Sequence, residues 1–184
     1  MIDETAAEIE SMQTHSSSIV AVKAARALAE LANRDFATLE VFERSLERNS
    51  SALRRANPSH ASLRTTRRAI CDRVVEQYED VSTAREALRT AIDDVVAAVE
   101  SAKAGAAGKA RSLLEDGSTI LTHDYSSTVI AAIERAVEDG DSLTVYVTEA
   151  RPGFIGRKTA RTLSTLEGVE THLVVDSACG HALD

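Results

Sequence analysis

Apolar residues recur every three to four positions through roughly the first 115 residues, a spacing that predicts helix. Ile9, Met12, Ile19, Val22, Ala25 and Leu28 carry the first pattern, interrupted at His15-Ser16-Ser17-Ser18, a serine cluster suited to a turn or helix start. Asn33-Arg34-Asp35 breaks the next helix. Phe36, Leu39, Val41, Phe42 and Leu46 continue helically and are expected to stop at Asn49-Ser50-Ser51. Asn57-Pro58-Ser59 is the clearest stop, since proline disfavours helix in the residue before it and fits the first turn of the next. A helix then runs to about Tyr78. Val81 to about Leu114 is one long pattern crossed by Gly105 and Gly108, each costing about 1 kcal/mol against Ala in a helix interior.

The period changes at Asp116-Gly117. Ser118–Thr122, Leu143–Val147 and Val169–Val175 read as short strands; Ser127–Glu138, Gly156–Leu166 and a helix from Ser177 to Leu183 read as the segments between and after them. Strands alternating with helices of about ten residues imply a parallel sheet with right-handed connections. The fold class expected is therefore α/β. An N-terminal helical domain, 1–115, precedes a Rossmann-like parallel sheet, 116–184, which looks incomplete at about three strands. Sheets of this kind usually have more, so the sequence reads as C-terminally truncated or as a short variant that covers its open edge in another way.

Composition narrows the function classes. The formal net charge of −8 disfavours direct nucleic-acid binding, which needs a basic face. Seventeen Arg stand against four Lys, and an acidic, Lys-poor chain suits a high-salt cytoplasm; stability rising to molar KCl is the expectation. Aromatics are 3% and Trp is absent, so the core is built from small side chains. Cys71 and Cys179 lie in unrelated segments without metal-ligand spacing, so no metal and no cofactor is expected. An acidic N-terminus with no long apolar run predicts a cytoplasmic protein without a membrane segment.

Candidate chemistry gathers where strands hand over to helices, the edge at which parallel sheets bind ligands. Leu121-Thr122-His123-Asp124-Tyr125-Ser126-Ser127, Thr148-Glu149-Ala150-Arg151-Pro152 and Val174-Val175-Asp176-Ser177-Ala178 all sit there. Asp124 reads first as an N-cap of the following helix, or as a charge that repels phosphate. His123 is a hydrogen-bonding neighbour of a ligand, or a catalytic group. Arg151 is the best anion-binding candidate, because a guanidinium holds phosphate by two parallel hydrogen bonds. A structural pair with Glu149 or Asp176 competes with that reading. Ser126 and Ser127, with the helix-opening amides, complete the ligand-binding set, and Asp176 caps the last helix or orients a ligand hydroxyl. Cys71 reads as an inert core residue. Cys179 with His181 would face apart on a helix, which argues against nucleophilic chemistry.

These segments resemble the initiation factor 2B alpha/beta/delta family, which includes ribose-1,5-bisphosphate isomerase and methylthioribose-1-phosphate isomerase. Glu149-Ala150-Arg151-Pro152 with Gly156, Ala160 and Leu163 is similar to the family's Glu-x-Arg-Pro-x-x-x-Gly-x-x-x-Ala-x-x-Leu pattern. Thr119–His123 with Ser126 and Val129, and Val174–Ala178, are similar to two further segments. The resemblance also implies differences. The isomerases follow Thr-His with a proton-transfer cysteine, where this chain has Asp124. Their Arg-Gly-Ala turn corresponds to Thr14-His15-Ser16-Ser17, and their Arg-Pro-Thr to Asn57-Pro58-Ser59, both without Arg. Their catalytic Asp lies in a Gly-Ala-Asp motif on the strand after the one ending near Asp176.

Isomerisation of a sugar bisphosphate needs two anion clamps and an acid/base pair near one carbon. Asp124 is a candidate for proton exchange in place of the cysteine, but a carboxylate among helix-opening amides stays ionised and is a poor acid. The expectation from the sequence is thus a translation initiation factor 2B subunit-like protein, non-catalytic, with a vestigial sugar-phosphate or nucleotide pocket. It would work through protein partners or as a homodimer formed by the sheet domain. The alternative is a ribose-1,5-bisphosphate isomerase-like enzyme, an aldose–ketose isomerase acting on a sugar phosphate.

Overall fold

The computed structural model describes residues 2–11, 16–149 and 151–180. Met12, Thr14, His15, Ala150, His181 and Leu183, which entered the sequence reading, lie outside the described residues. Two compact units divide the chain, residues 1–101 and 102–184.

The first unit is helical. It comprises α1 (Ile2–Glu10), α2 (Ser17–Ala32), α3 (Leu39–Ala56), α4 (Ala61–Val74) and most of α5 (Val81–Arg111). Its core joins Leu28 and Leu31 of α2, Phe42, Leu46 and Leu53 of α3, Ile70 and Val74 of α4 and Leu88 of α5, all essentially inaccessible. The small side chains of α2 (Ala21, Ala24, Ala25 and Ala32) are buried as well, so neighbouring helices can approach closely. The end of α2 leaves carbonyls without helical partners. Arg85 Nε and Arg89 Nη2 donate to Ala32 O at 2.8 and 2.6 Å and satisfy one of them.

Several boundaries differ from the sequence reading. Helix α3 does not stop at Asn49-Ser50-Ser51. Asn49 Nδ2 donates to Ser45 O and Ser50 Oγ to Glu47 O, so these side chains bond back onto the helix they were expected to end. Pro58 does not open the next helix. It sits in a turn in which Ser59 Oγ donates to Asn57 Oδ1, and α4 begins at Ala61 after its N-cap His60. Helix α4 ends at Val74, short of Tyr78, and Gly105 and Gly108 lie within a continuous α5.

The second unit holds β1 (Thr119–His123), α6 (Ser127–Glu138), β2 (Leu143–Glu149), α7 (Gly156–Leu163) and β3 (Val169–Val175), followed by a 3-10 turn, Asp176–Ala178. The strands form one parallel sheet in the order β1-β2-β3. A helical part followed by a three-stranded parallel sheet is the α/β architecture expected from the sequence. Both connections step the same way along the sheet, so right-handed crossovers place α6 and α7 on one face. Leu143, Val145 and Val147 of β2 meet Ile130, Ile133 and Ala136 of α6 and Leu163 of α7 there. Arg111 secures the end of α5 within this unit, pairing with Asp139 and Asp141 at 2.9 and 2.8 Å. Helix α7 ends three residues earlier than expected, with Ser164 and Thr165 hydroxyls bonded back to Arg161 and Thr162 carbonyls. The expected final helix opens as the 3-10 turn, and its last residues lie outside the described ones.

Candidate active site at the carboxyl edge of the sheet

The strand register brings the candidate residues together. His123 ends β1 directly opposite Thr148 of β2, and Thr148 is opposite Val174 of β3, two residues before Asp176. His123 Nδ1 lies 2.7 Å from Thr148 Oγ1 and 3.4 Å from Asp176 Oδ1. Its Nε2 lies 3.6 Å from Asp124 Oδ2. The imidazole is thus held between a buried hydroxyl and two carboxylates, with 64% of its side chain open to solvent. Asp176 Oδ1 is itself buried and makes no hydrogen bond, so its approach to His123 is close without being a directed bond.

Asp124 does not cap α6. That cap is Ser126, whose side chain accepts from Val129 N–H at 3.3 Å. Asp124 stands two residues earlier with φ of +50°, in the left-handed region. Its backbone is fixed from both sides. Asp124 N–H donates to Thr148 O at 3.0 Å, and Thr159 Oγ1 donates to Asp124 O at 2.6 Å. The α6 cap is thus Ser126 rather than Asp124, and Asp124 stands at the turn between β1 and α6. Ser126 spends its hydroxyl on the helix, and Ser127 opens α6 beside it.

The loop after β2 supplies the cations. Glu149, 8% exposed, receives a bidentate pair from Arg157, Nε–Oε2 2.8 Å and Nη2–Oε1 3.2 Å. This contact pushes the Arg157 guanidinium pKa upward, chiefly through the hydrogen bond and then through the carboxylate charge. The competing role for Arg151, a pair with Glu149 or Asp176, is thereby filled by Arg157 and His123. Among the described residues Arg151 is exposed, and its guanidinium lies 5.8 Å from the Phe154 ring centre. Lys158 Nζ sits 4.5 Å from the Tyr125 ring centre.

Gly156 lets α7 start hard against β2: a Cβ there would stand 2.4 Å from Thr148 O. Thr148, Phe154, Arg157 and Thr159 were given no role by the sequence. Only the strand register and the loop conformation reveal them. Cys71 is buried and donates to Ser50 Oγ at 3.3 Å, and burial pushes its thiol pKa up. Among the described residues no cluster of three or more His, Cys, Asp or Glu could hold a metal, and no helix is long and apolar enough to cross a membrane.

Comparison with known proteins places this geometry. The model of the Initiation factor 2 subunit family matches residues 13–184, and the chain belongs to that family. Ribose 1,5-bisphosphate isomerase of Haloferax volcanii is 34% identical over the whole chain, which covers 56% of that relative. The enzyme of the same name from Thermococcus kodakarensis is 30% identical over 97% of the chain and 56% of its own length. The crystal structure of the Pyrococcus horikoshii translation initiation factor eIF-2B superposes with a TM-score of 0.82 at 28% identity, covering 98% of this chain and 61% of that one. The chain therefore spans a little over half the length of the relatives it matches. These findings overturn the expectation of a non-catalytic initiation factor subunit. Relatives matched along essentially the whole chain carry the name of an isomerase, and they favour the alternative.

Proposed function

We propose that this protein is a sugar-phosphate isomerase of the ribose 1,5-bisphosphate isomerase type, with its substrate seated at the carboxyl edge of the sheet. Residues 116–184 form the ligand-binding domain, and 1–115 its helical companion. The observation that carries the reading is the convergence of His123, Asp124 and Asp176 at one edge, in a chain whose relatives bear that enzyme's name.

Moving a proton between adjacent carbons of a sugar needs a group that gives and takes it at short range, and a clamp that fixes the phosphate. Asp124 stands where the resembling isomerases carry their proton-transfer cysteine, and it takes that role. His123 holds it from 3.6 Å, and Asp176 and Thr148 hold His123 in turn. Arg151, paired with no carboxylate among the described residues, binds a phosphate, and Ser126 and Ser127 line the same edge. A homodimer formed through the sheet domain and a cytoplasmic location belong to the same reading.

Calorimetric titration with ribose 1,5-bisphosphate tests the site. The expected result is saturable binding lost in Arg151→Ala. Binding unchanged in that variant places the phosphate elsewhere.

A further inference from the structure

We propose that the Phe154 ring is a platform that seats Arg151 for phosphate, which makes Phe154 a positioning residue for the anion. The proposal rests on the reading of Arg151 as the phosphate clamp.

Phe154 has φ of +50°, a conformation that a bulky residue rarely adopts and that glycine adopts freely. Backbone of this kind persists where its surroundings over-determine it, and it gathers at ligand sites. A glycine in this position would ease the backbone, and Gly153 stands immediately before it. What phenylalanine supplies and glycine lacks is a ring. Two guanidinium groups lie against that ring, Arg157 at 4.4 Å and Arg151 at 5.8 Å from its centre. Both distances fall within reach of cation–π attraction.

Arg157 is not free to move. Its bidentate pair with the buried Glu149 carboxylate ties it to the end of β2. A chain of contacts therefore runs from the strand through Glu149 and Arg157 to the Phe154 ring, and from the ring to Arg151. The arrangement splits the labour of the two arginines. Arg157 spends its hydrogen bonds on Glu149 and fixes the ring. Arg151 reaches the ring at 5.8 Å and makes no ion pair with a carboxylate among the described residues, which leaves its planar fork of N–H donors for a ligand. Lowering the freedom of that fork before binding reduces the ordering cost of capturing phosphate.

The test uses the full chain, inorganic phosphate as the probe, and the variants Phe154→Leu, Phe154→Tyr and Arg151→Ala. All residues at 154 other than glycine share the backbone penalty, so Leu against Tyr isolates the ring. Two readouts are taken, the ring-current shift of the Arg151 side-chain protons by NMR and phosphate affinity by titration. Phe154→Leu is expected to abolish the ring-current shift and weaken phosphate binding about two- to fivefold. Phe154→Tyr is expected to keep both. Wild-type affinity in Phe154→Leu, or equal weakening in Leu and Tyr, overturns the platform while loss of binding in Arg151→Ala still upholds the clamp. Unchanged affinity in Arg151→Ala overturns the clamp and the platform together.

Discussion

Replacing Gly156 by alanine puts a single methyl group where the fold has no room for it. The added Cβ would stand 2.4 Å from Thr148 O, 2.9 Å from Glu149 Cβ and 3.0 Å from Glu149 Cα. Real Cβ contacts essentially never fall below 3.0 Å, so the carbonyl must retreat by at least 0.6 Å. That carbonyl accepts the Asp124 N–H at 3.0 Å, and both displaced residues belong to the central strand, so no flexible side chain absorbs the shift. Overpacking of this kind costs about 1–3 kcal/mol. The helix-propensity gain of Ala over Gly, at most about 1 kcal/mol and smaller in a first turn, offsets only part of it. A net loss of about 1–2 kcal/mol follows, or roughly 4–15 °C in Tm for a unit of this size. Thermal and urea unfolding followed by circular dichroism measure it. The same displacement pulls Asp124 and the Glu149–Arg157 pair out of register, so anion affinity falls with stability. A Gly156→Ala protein with wild-type Tm and wild-type affinity would refute the reasoning, because the backbone would then have slack that these distances deny.

Other outcomes follow from particular contacts. Asp80 accepts from Thr83 N–H and from its hydroxyl, which holds the Asp80 carboxyl below its ordinary pKa of 3.8. A depressed folded pKa contributes stability above the unfolded value that is lost as pH falls through the folded one. The Tm difference between wild type and Asp80→Ala should therefore shrink below about pH 4; a difference constant with pH counts against it. Removing Arg157 alone strands the buried Glu149 carboxylate, so Glu149→Gln/Arg157→Ala should unfold at higher urea than Arg157→Ala; the reverse order would show that the pair is not buried enough to matter. Cys71, 5% exposed and with its thiol pKa raised by burial, should react with a thiol reagent at least tenfold more slowly than Cys179 in native protein. Equal rates would mean the α3–α4 contact opens readily. Phe42→Ala, at the centre of the helical core and edge-on to Phe36 at 5.3 Å, should cost about 3–5 kcal/mol by urea denaturation.

Much of the fold was legible because its signals are local. Glycines at 117, 140 and 168 take positive φ in the turns that precede β1, β2 and β3, and short β-branched runs lie between them. Periodicity misled where polar side chains turned back on their own helix. Asn49 and Ser50 resemble a break, but their hydrogen bonds to Ser45 and Glu47 carbonyls let α3 continue to bury Leu53. The helix after β1 starts at Ser127 as expected, but its cap was misassigned for a related reason. Asp124 and Ser126 both make good caps, and composition does not say which one wins; the strand bond from Asp124 N–H to Thr148 O decides it. The closeness of His123, Asp124 and Asp176 could be anticipated because strand ends of a parallel sheet gather at one edge. Thr148 could not be assigned a role, since its hydroxyl matters only through the β1–β2 register. The Arg157–Glu149 pair and the left-handed Phe154 depend on loop geometry that no spacing announces. The chemical identity went astray for another reason. A cysteine replaced by aspartate and absent arginines weighed more heavily in the sequence than relatives over the whole chain allow.

Conversion of ribose 1,5-bisphosphate followed by phosphorus NMR tests the central claim most directly, with Asp124→Asn measured alongside. Removal of a general acid/base lowers turnover by about 10²–10⁴. The account predicts that the ketose bisphosphate accumulates with the wild-type protein and that Asp124→Asn slows its appearance by at least a hundredfold while substrate still binds. Ketose formed equally fast by Asp124→Asn, or substrate bound and never converted by the wild type, would contradict it.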